Sequence, residues 1–275
     1  MKPAPFDYVR AEALAEAHAV LAAEGSEASV IAGGQTLVPL LSMRMARPAV
    51  LVDIMQIAAL GGIAIEENHI RVGAAVRQAE LLAWPDLAAR QPLLALALPW
   101  IGHAQTRSRG TVCGSIALAD PSAELPLTLL ALGGDVTLSS AHGRREVGAQ
   151  EFFTGLMSTV RADDELIEAV RFPLRSAGTG YAFREFGRRH GDFAIVACAA
   201  VAHPFGVRLA VGGIADRPRS REFADTDGAL LDDALEAFAV TLEARDDLHA
   251  SAEYRRQLVR RMGRATIEEA IRCRA

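Results

Sequence analysis

The sequence predicts a mixed α/β fold of the α+β kind: an N-terminal part in which helices and strands interleave, then a smaller α+β C-terminal part. Three observations predict it. Short apolar runs rich in Val and Ile alternate with helix-spaced stripes as far as Pro173. The small-residue stretch "SAGTG" (176–180) then breaks the pattern and reads as a hinge. Beyond it, "AIVACAAVA" and "VRLAVGGI" flank His203-Pro204-Phe205-Gly206 as an antiparallel hairpin, and a helical tail follows. At 275 residues the chain can fold as two or three lobes with a substantial core.

The elements follow from local pattern. "AEALAEAHAVLAAEG" places Leu14, His18 and Leu21 on one helical stripe, with Gly25 as the stop. "SVIAGG" is a short strand entering a glycine turn, and "PAVLVDI" (48–54) is a continuous, fully buried type of strand closed downstream by Gly61-Gly62. "HIRVGAAV" (69–76) is another strand. Gln78 to Gln105 reads as mostly helical, interrupted by Pro85, Pro92 and Pro99. "AELPLTLLALGG" is a helix ended by Gly133-Gly134; "DVTLSS" (135–140) and "DELIEAVRFP" (164–173) are strands. In the tail, Tyr254, Leu258, Met262 and Ala265 share one helical face, with arginines on the others.

Composition narrows the function. Apolar residues make up 51% and charged residues 23%, and the net charge of −5 argues against a nucleic-acid binder. Lys2 is the single lysine; the other basic residues are arginines. Cys113, Cys198 and Cys273 are scattered, with no CxxC or Cys/His cluster, so neither a metal site nor a disulfide framework is expected, and a reducing cytoplasm is. The N-terminus lacks the apolar core of a signal peptide, and no apolar run is long enough to span a bilayer. No triad or carboxylate pair suggests a catalytic residue.

Two stretches carry the chemistry. "IAGGQTLVPL" (31–40) offers Gly33, Gly34 and the amides of Gln35 and Thr36, and "GTVCGSIALADP" (110–121) offers Thr111, Gly114 and Ser115. Glycines permit close approach and can turn successive amides toward one anion. Neither stretch matches a Rossmann fingerprint or a P-loop. Each alone reads as a β-turn; together they read equally as a two-loop anion site.

These two stretches, together with "RPAVLVDI", "DELIEAVRFP", "YAFREFGRRHGDFAIVACAA" and "ASAEYRRQLVRRMGRATIEEA", resemble the FAD-binding medium subunits of molybdenum hydroxylases, the family of carbon monoxide dehydrogenase and xanthine dehydrogenase. The likeness runs through essentially the whole chain. It implies a FAD-binding domain over residues 1–176, built from two α/β subdomains (about 1–57 and 58–176), and a C-terminal docking domain over 177–275 with an antiparallel sheet and helices.

The resemblance further implies non-covalent FAD between the subdomains. Ile31, Ala32, Gly33, Gly34, Gln35, Thr36, Leu37 and Val38 would form one side of the cradle, and Thr111, Gly114 and Ser115 the other. Asp120 and Glu124 would meet the ribityl hydroxyls, with helix capping as their bland alternative. Ile101 would line the adenosine side, mainly through its backbone. Leu166 or Ile167 would lie near the adenine, or else be plain buried strand. Arg184 would sit near the isoalloxazine ring, or else be a surface arginine, and Asp192 would border the ring. Two departures stand out: Cys113 replaces a glycine, and Leu118 stands where the family often has His. The expected setting is a cytoplasmic complex, a dimer of heterotrimers, with a large molybdopterin-binding subunit and a small [2Fe–2S] subunit. Electrons would pass through this chain's FAD to an external acceptor. The rival readings are a free-standing FAD-dependent oxidoreductase and a flavin-free assembly module.

Overall fold

The computed structural model describes residues 2–224, 226 and 228–274. The chain opens with β1 (Asp7–Arg10), α1 (Leu14–Glu24), β2 (Ala28–Ile31), α2 (Leu37–Ser42) and β3 (Val50–Asp53). The three strands form a parallel sheet in the order β1-β3-β2. The central place of β3 explains its unbroken apolar run, since Val50, Leu51 and Val52 are all buried. Gly25 ends α1 with φ 52°, as its sequence position predicts.

A second, antiparallel sheet begins with β4 (Ile63–Glu66) and β5 (His69–Gly73). The segment that follows is broken into short helices: α3 (Gln78–Leu82), α4 (Leu87–Arg90), α5 (Pro92–Ala97) and α6 (Ala104–Arg107). Pro92 occupies the first turn of α5, where its missing N–H costs nothing, and the Gln91 side chain accepts from the Leu93 amide at 3.2 Å. After α7 (Val112–Leu118) and α8 (Glu124–Leu132) come β6 (Asp135–Ser140), β7 (Gly143–Gly148), α9 (Ala149–Phe152), the small pair β8 (Phe153–Gly155) and β9 (Ser158–Thr159), and β10 (Leu166–Pro173). The sheet order is β4-β5-β10-β6-β7. The register of β10 against β6 shifts between Ile167 and Ala169, at Glu168, whose carboxylate takes Arg144 at 2.7 Å and Arg71 at 3.4 Å. One apolar core joins both sheets, with Leu21 of α1 and Val52 of β3 meeting Val136, Leu138 and Phe172 of the second sheet.

The remaining elements are β11 (Gly180–Phe186), β12 (Val196–His203), β13 (Gly206–Gly212), β14 (Arg219–Phe223), α10 (Gly228–Thr241) and α11 (Ala252–Arg272). The four strands pair antiparallel in sequence order, and His203 pairs with Gly206 across the predicted hairpin turn. Both faces of this sheet are covered. Tyr181, Phe183, Ala197, Ala199 and Ala210 pack with Leu93, Ala97 and Leu127 of α5 and α8. Ala182, Cys198, Ala200 and Leu209 pack with residues of α10 and α11. The alanine-rich β12 suits this sandwich, because small side chains let helices approach from both sides. Gly180, read from sequence as part of a hinge, has a packing role: a Cβ there would lie 1.9 Å from the Ala270 carbonyl oxygen.

The buried stripe of α11 is displaced from the one the apolar pattern suggests. It consists of Arg255, Val259, Gly263, Thr266, Ile267 and Ala270, while Tyr254 is 42% exposed. The displacement follows from Arg255, which enters the core to donate to the carbonyls of Ile195 (2.6 Å) and Gly213 (2.7 Å) and to pair with Asp247. No helix among the described residues is long and apolar enough to cross a membrane.

Candidate functional site

A cavity of about 380 Å³ lies between the parallel sheet and the second subdomain. Its volume is in the range of small-molecule sites. Ile31, Ala32, Gly33, Gly34, Gln35, Thr36 and Leu37 line one side, and Thr111, Gly114, Ser115, Asp120 and Glu124 the other; Ile101, Leu166 and Ile167 complete the wall. Phe193, from the loop after β11, closes part of the rim and is 66% exposed.

The first loop is held open as a donor surface. The amides of Gly33, Gly34, Gln35 and Thr36 bond to no other described residue, although Val38 donates back to the Gly34 carbonyl at 3.0 Å and the Gln35 side chain to the Gly33 carbonyl at 3.2 Å. Unpaired backbone donors facing a cavity call for an acceptor. Gly34 has φ +69° and needs glycine for that reason. Gly33 needs it for another: a Cβ would stand 2.3 Å from the Arg109 carbonyl oxygen and 2.7 Å from the Gly110 Cα. The two loops therefore touch backbone to backbone.

The second loop works differently. The Thr111 hydroxyl caps α7, accepting from the Gly114 amide at 3.1 Å, and the Ser115 amide donates to the Thr111 carbonyl at 3.3 Å. Its amides are thus partly committed, and its contribution to the cavity is the Ser115 hydroxyl and a close-fitting wall. Neither Cys113 nor Gly114 has positive φ. Glycine is required at 114 because a Cβ would meet the Thr111 hydroxyl at 2.6 Å. Cys113 sits unstrained in the first turn of α7, its thiol pushed up to about 12 by burial.

Asp120 accepts from the Ser122 amide at 2.8 Å, so it fixes the turn before α8 and lines the cavity at once. Burial raises its carboxyl, against the Ser122 amide. Glu124 begins α8 and is 6% exposed; burial pushes its carboxyl up to about 7. A buried carboxyl with no side-chain partner beside unpaired amides fits a ligand that presents both hydroxyl donors and anionic oxygens.

Two residues expected at the site lie elsewhere. Val38 is 48% exposed and outside the cavity wall. Arg184 is also outside it: strand alternation turns its side chain toward α11, where it pairs with Glu269 at 2.7 Å. Asp192 stands in the rim loop and pairs with Arg189 at 3.4 Å. The wall also contains Gln78, Thr106 and Arg161, for which the sequence carries no local signal, since each reaches the cavity from a separate element. Leu118, one of the two departures, lines the wall with an apolar side chain.

Two α/β subdomains around a donor-rich glycine loop define a nucleotide-cofactor-binding protein. Residues 4–175 match the family model described as the FAD binding domain in molybdopterin dehydrogenase, and residues 181–270 match the CO dehydrogenase flavoprotein C-terminal domain. The chain is 38% identical to the 6-hydroxypseudooxynicotine dehydrogenase complex subunit alpha of Paenarthrobacter nicotinovorans, over 98% of this chain and 96% of that protein. It superposes on carbon monoxide dehydrogenase from Hydrogenophaga pseudoflava with a TM-score of 0.94, 31% identity and full coverage of both chains. It superposes on quinoline 2-oxidoreductase from Pseudomonas putida 86 with a TM-score of 0.91, 31% identity and 99% coverage of each. The chain belongs to the family of FAD-binding medium subunits of molybdenum hydroxylases and is a flavoprotein oxidoreductase subunit.

Proposed function

We propose that this chain takes electrons from the [2Fe–2S] clusters of a small partner subunit and passes them to an external acceptor, within a complex whose large subunit binds molybdopterin. FAD, when bound, supplies the exchange between one-electron and two-electron carriers. The chain's own residues bind and orient it. The amides of Gly33, Gly34, Gln35 and Thr36 receive the diphosphate, the Ser115 hydroxyl faces them, and Asp120 and Glu124 accept from the ribityl hydroxyls. Ile101, Leu166 and Ile167 exclude water from the adenosine end. The observation that carries this reading is the row of unpartnered amides on the first loop, opposite the buried Glu124 and the half-buried Asp120.

The proposed division is a FAD-binding domain over 1–176, with subdomains at about 1–57 and 58–176, and a docking domain over 177–275; the two family matches support it. A cytoplasmic dimer of heterotrimers is the proposed assembly, supported in part by a relative that is itself one subunit of a named complex. The test is the absorption spectrum of the purified chain. One FAD per chain, released on denaturation, is the expected result, and colourless protein that takes up no added FAD would overturn it. Reduction of an acceptor by this chain with a reductant alone, without partner subunits, would instead make it a free-standing oxidoreductase.

A further inference from the structure

We propose that Arg161 is a specificity-determining residue of the cavity: its guanidinium group binds the purine ring of the cofactor and so selects a dinucleotide over a flavin mononucleotide. The inference deepens the reading of the cavity as the FAD site and rests on it. Among the described residues, Arg161 is the one cationic side chain in the cavity wall, whose other charged groups are the acids Asp120 and Glu124. Its place in the wall follows from the elements around it. Arg161 stands between β9 and β10, shortly before Leu166. Leu166 pairs with Ser139 of β6, and the Ser139 hydroxyl meets His18 Nε2 of α1 at 3.0 Å. Leu21, one turn further along α1, lines the same cavity, as does Val30 of β2. Arg161 therefore belongs to the end of the cavity bounded by α1, β2 and β10, where Leu21, Val30, Leu166 and Ile167 are the large wall residues.

The Arg161 guanidinium is half-buried and fixed at one corner. Nη1 donates to the carbonyls of Ala162 (2.7 Å) and Glu165 (2.6 Å) in its own loop. Nε and Nη2 donate to no described residue. The carboxylate of Glu165 does not neutralise it, because Arg145 takes both oxygens of that group, at 2.6 and 2.8 Å, and the Ala162 amide donates to one of them at 2.8 Å. Among the described residues no carboxylate forms an ion pair with Arg161. A planar cation held at one corner keeps its orientation while two donors stay free, so little side-chain freedom is lost when a ring binds. Guanidinium groups stack on aromatic faces and donate to ring nitrogens, and neither interaction needs an anionic partner. An apolar cavity end with one flat, unpaired cation is therefore suited to an uncharged heteroaromatic ring, while the first loop's free amides are suited to the diphosphate.

The test is calorimetric titration of the FAD-free chain with FAD, ADP and FMN in turn. Arg161→Gln is expected to weaken both FAD and ADP about tenfold and to leave FMN affinity unchanged. Arg161→Lys keeps the charge but loses the planar fork, and its affinities for FAD and ADP are expected to stay within about twofold of those of R161Q. Unchanged ADP affinity in R161Q overturns the proposal. So do equal losses for ADP and FMN, which would make Arg161 a brace for its own loop, and full recovery in R161K, which would make it a point charge. A wild-type chain that binds ADP but not FAD defeats the functional reading, while the ADP titrations still decide the role of Arg161. A chain that binds neither overturns both.

Discussion

Gly33 and Gly34 adjoin in sequence and are constrained by different physics. At Gly34 the constraint is φ, and Gly34→Ala is expected to cost about 1–2 kcal/mol of local strain. At Gly33 the constraint is the backbone of the facing loop, which cannot yield as a side chain would. Gly33→Ala must push the two loops apart and is expected to weaken FAD binding by more than tenfold, and by more than Gly34→Ala does. Equilibrium dialysis of both variants checks the order. Equal losses would show that both glycines serve ligand approach alone. The importance of this pair was legible in "AGGQT", but the reason for Gly33 was not, because Arg109 lies far away along the chain.

At the scale of elements, the two faces of β11 explain what sequence could not assign. The alternation Tyr181, Phe183, Glu185 against Ala182, Arg184 is visible in "YAFREF". Which set meets α5 and α8 and which meets α10 and α11 depends on helices packing on both sides of the sheet, and the Arg184 side lies toward α11. The same holds for α11. Its apolar residues suggest a stripe through Tyr254, whereas a buried arginine and a glycine set the real one. Gly263 admits the sheet: a Cβ there would meet Leu209 Cδ2 at 3.0 Å and Leu235 Cδ2 at 3.2 Å. Gly263→Val is expected to destabilise by about 1–3 kcal/mol through overpacking, read in urea unfolding, without altering FAD stoichiometry.

Across the whole molecule, folding raises two carboxyl groups far above their ordinary range, that of the buried Glu124 and that of the half-buried Glu185. Glu124 and Glu185 are raised from 4.5 to about 7 and about 8. A carboxyl raised by folding binds its proton more tightly in the native state, so stability is lost as pH climbs from the unfolded to the folded value. Between about pH 7 and pH 8 the native chain holds more protons on this pair than the unfolded chain does. The lowered His18 opposes this only weakly, because the unfolded-state imidazole is already mostly neutral over this interval. The melting temperature of the FAD-free chain is expected to fall over that interval, and scanning calorimetry at the two pH values checks it. A rise would mean that these groups are ionised in the fold.

The sequence by itself determined the mixed α/β order, the central buried strand 50–53, the hairpin turning at 203–206 and the two small-residue loops, because each is written in local periodicity or in the demands of glycine and proline. Tertiary structure alone decided which loop keeps its amides free, which face of β11 meets α11 and which stripe of α11 is buried. Those choices depend on what packs against each element from distant parts of the chain.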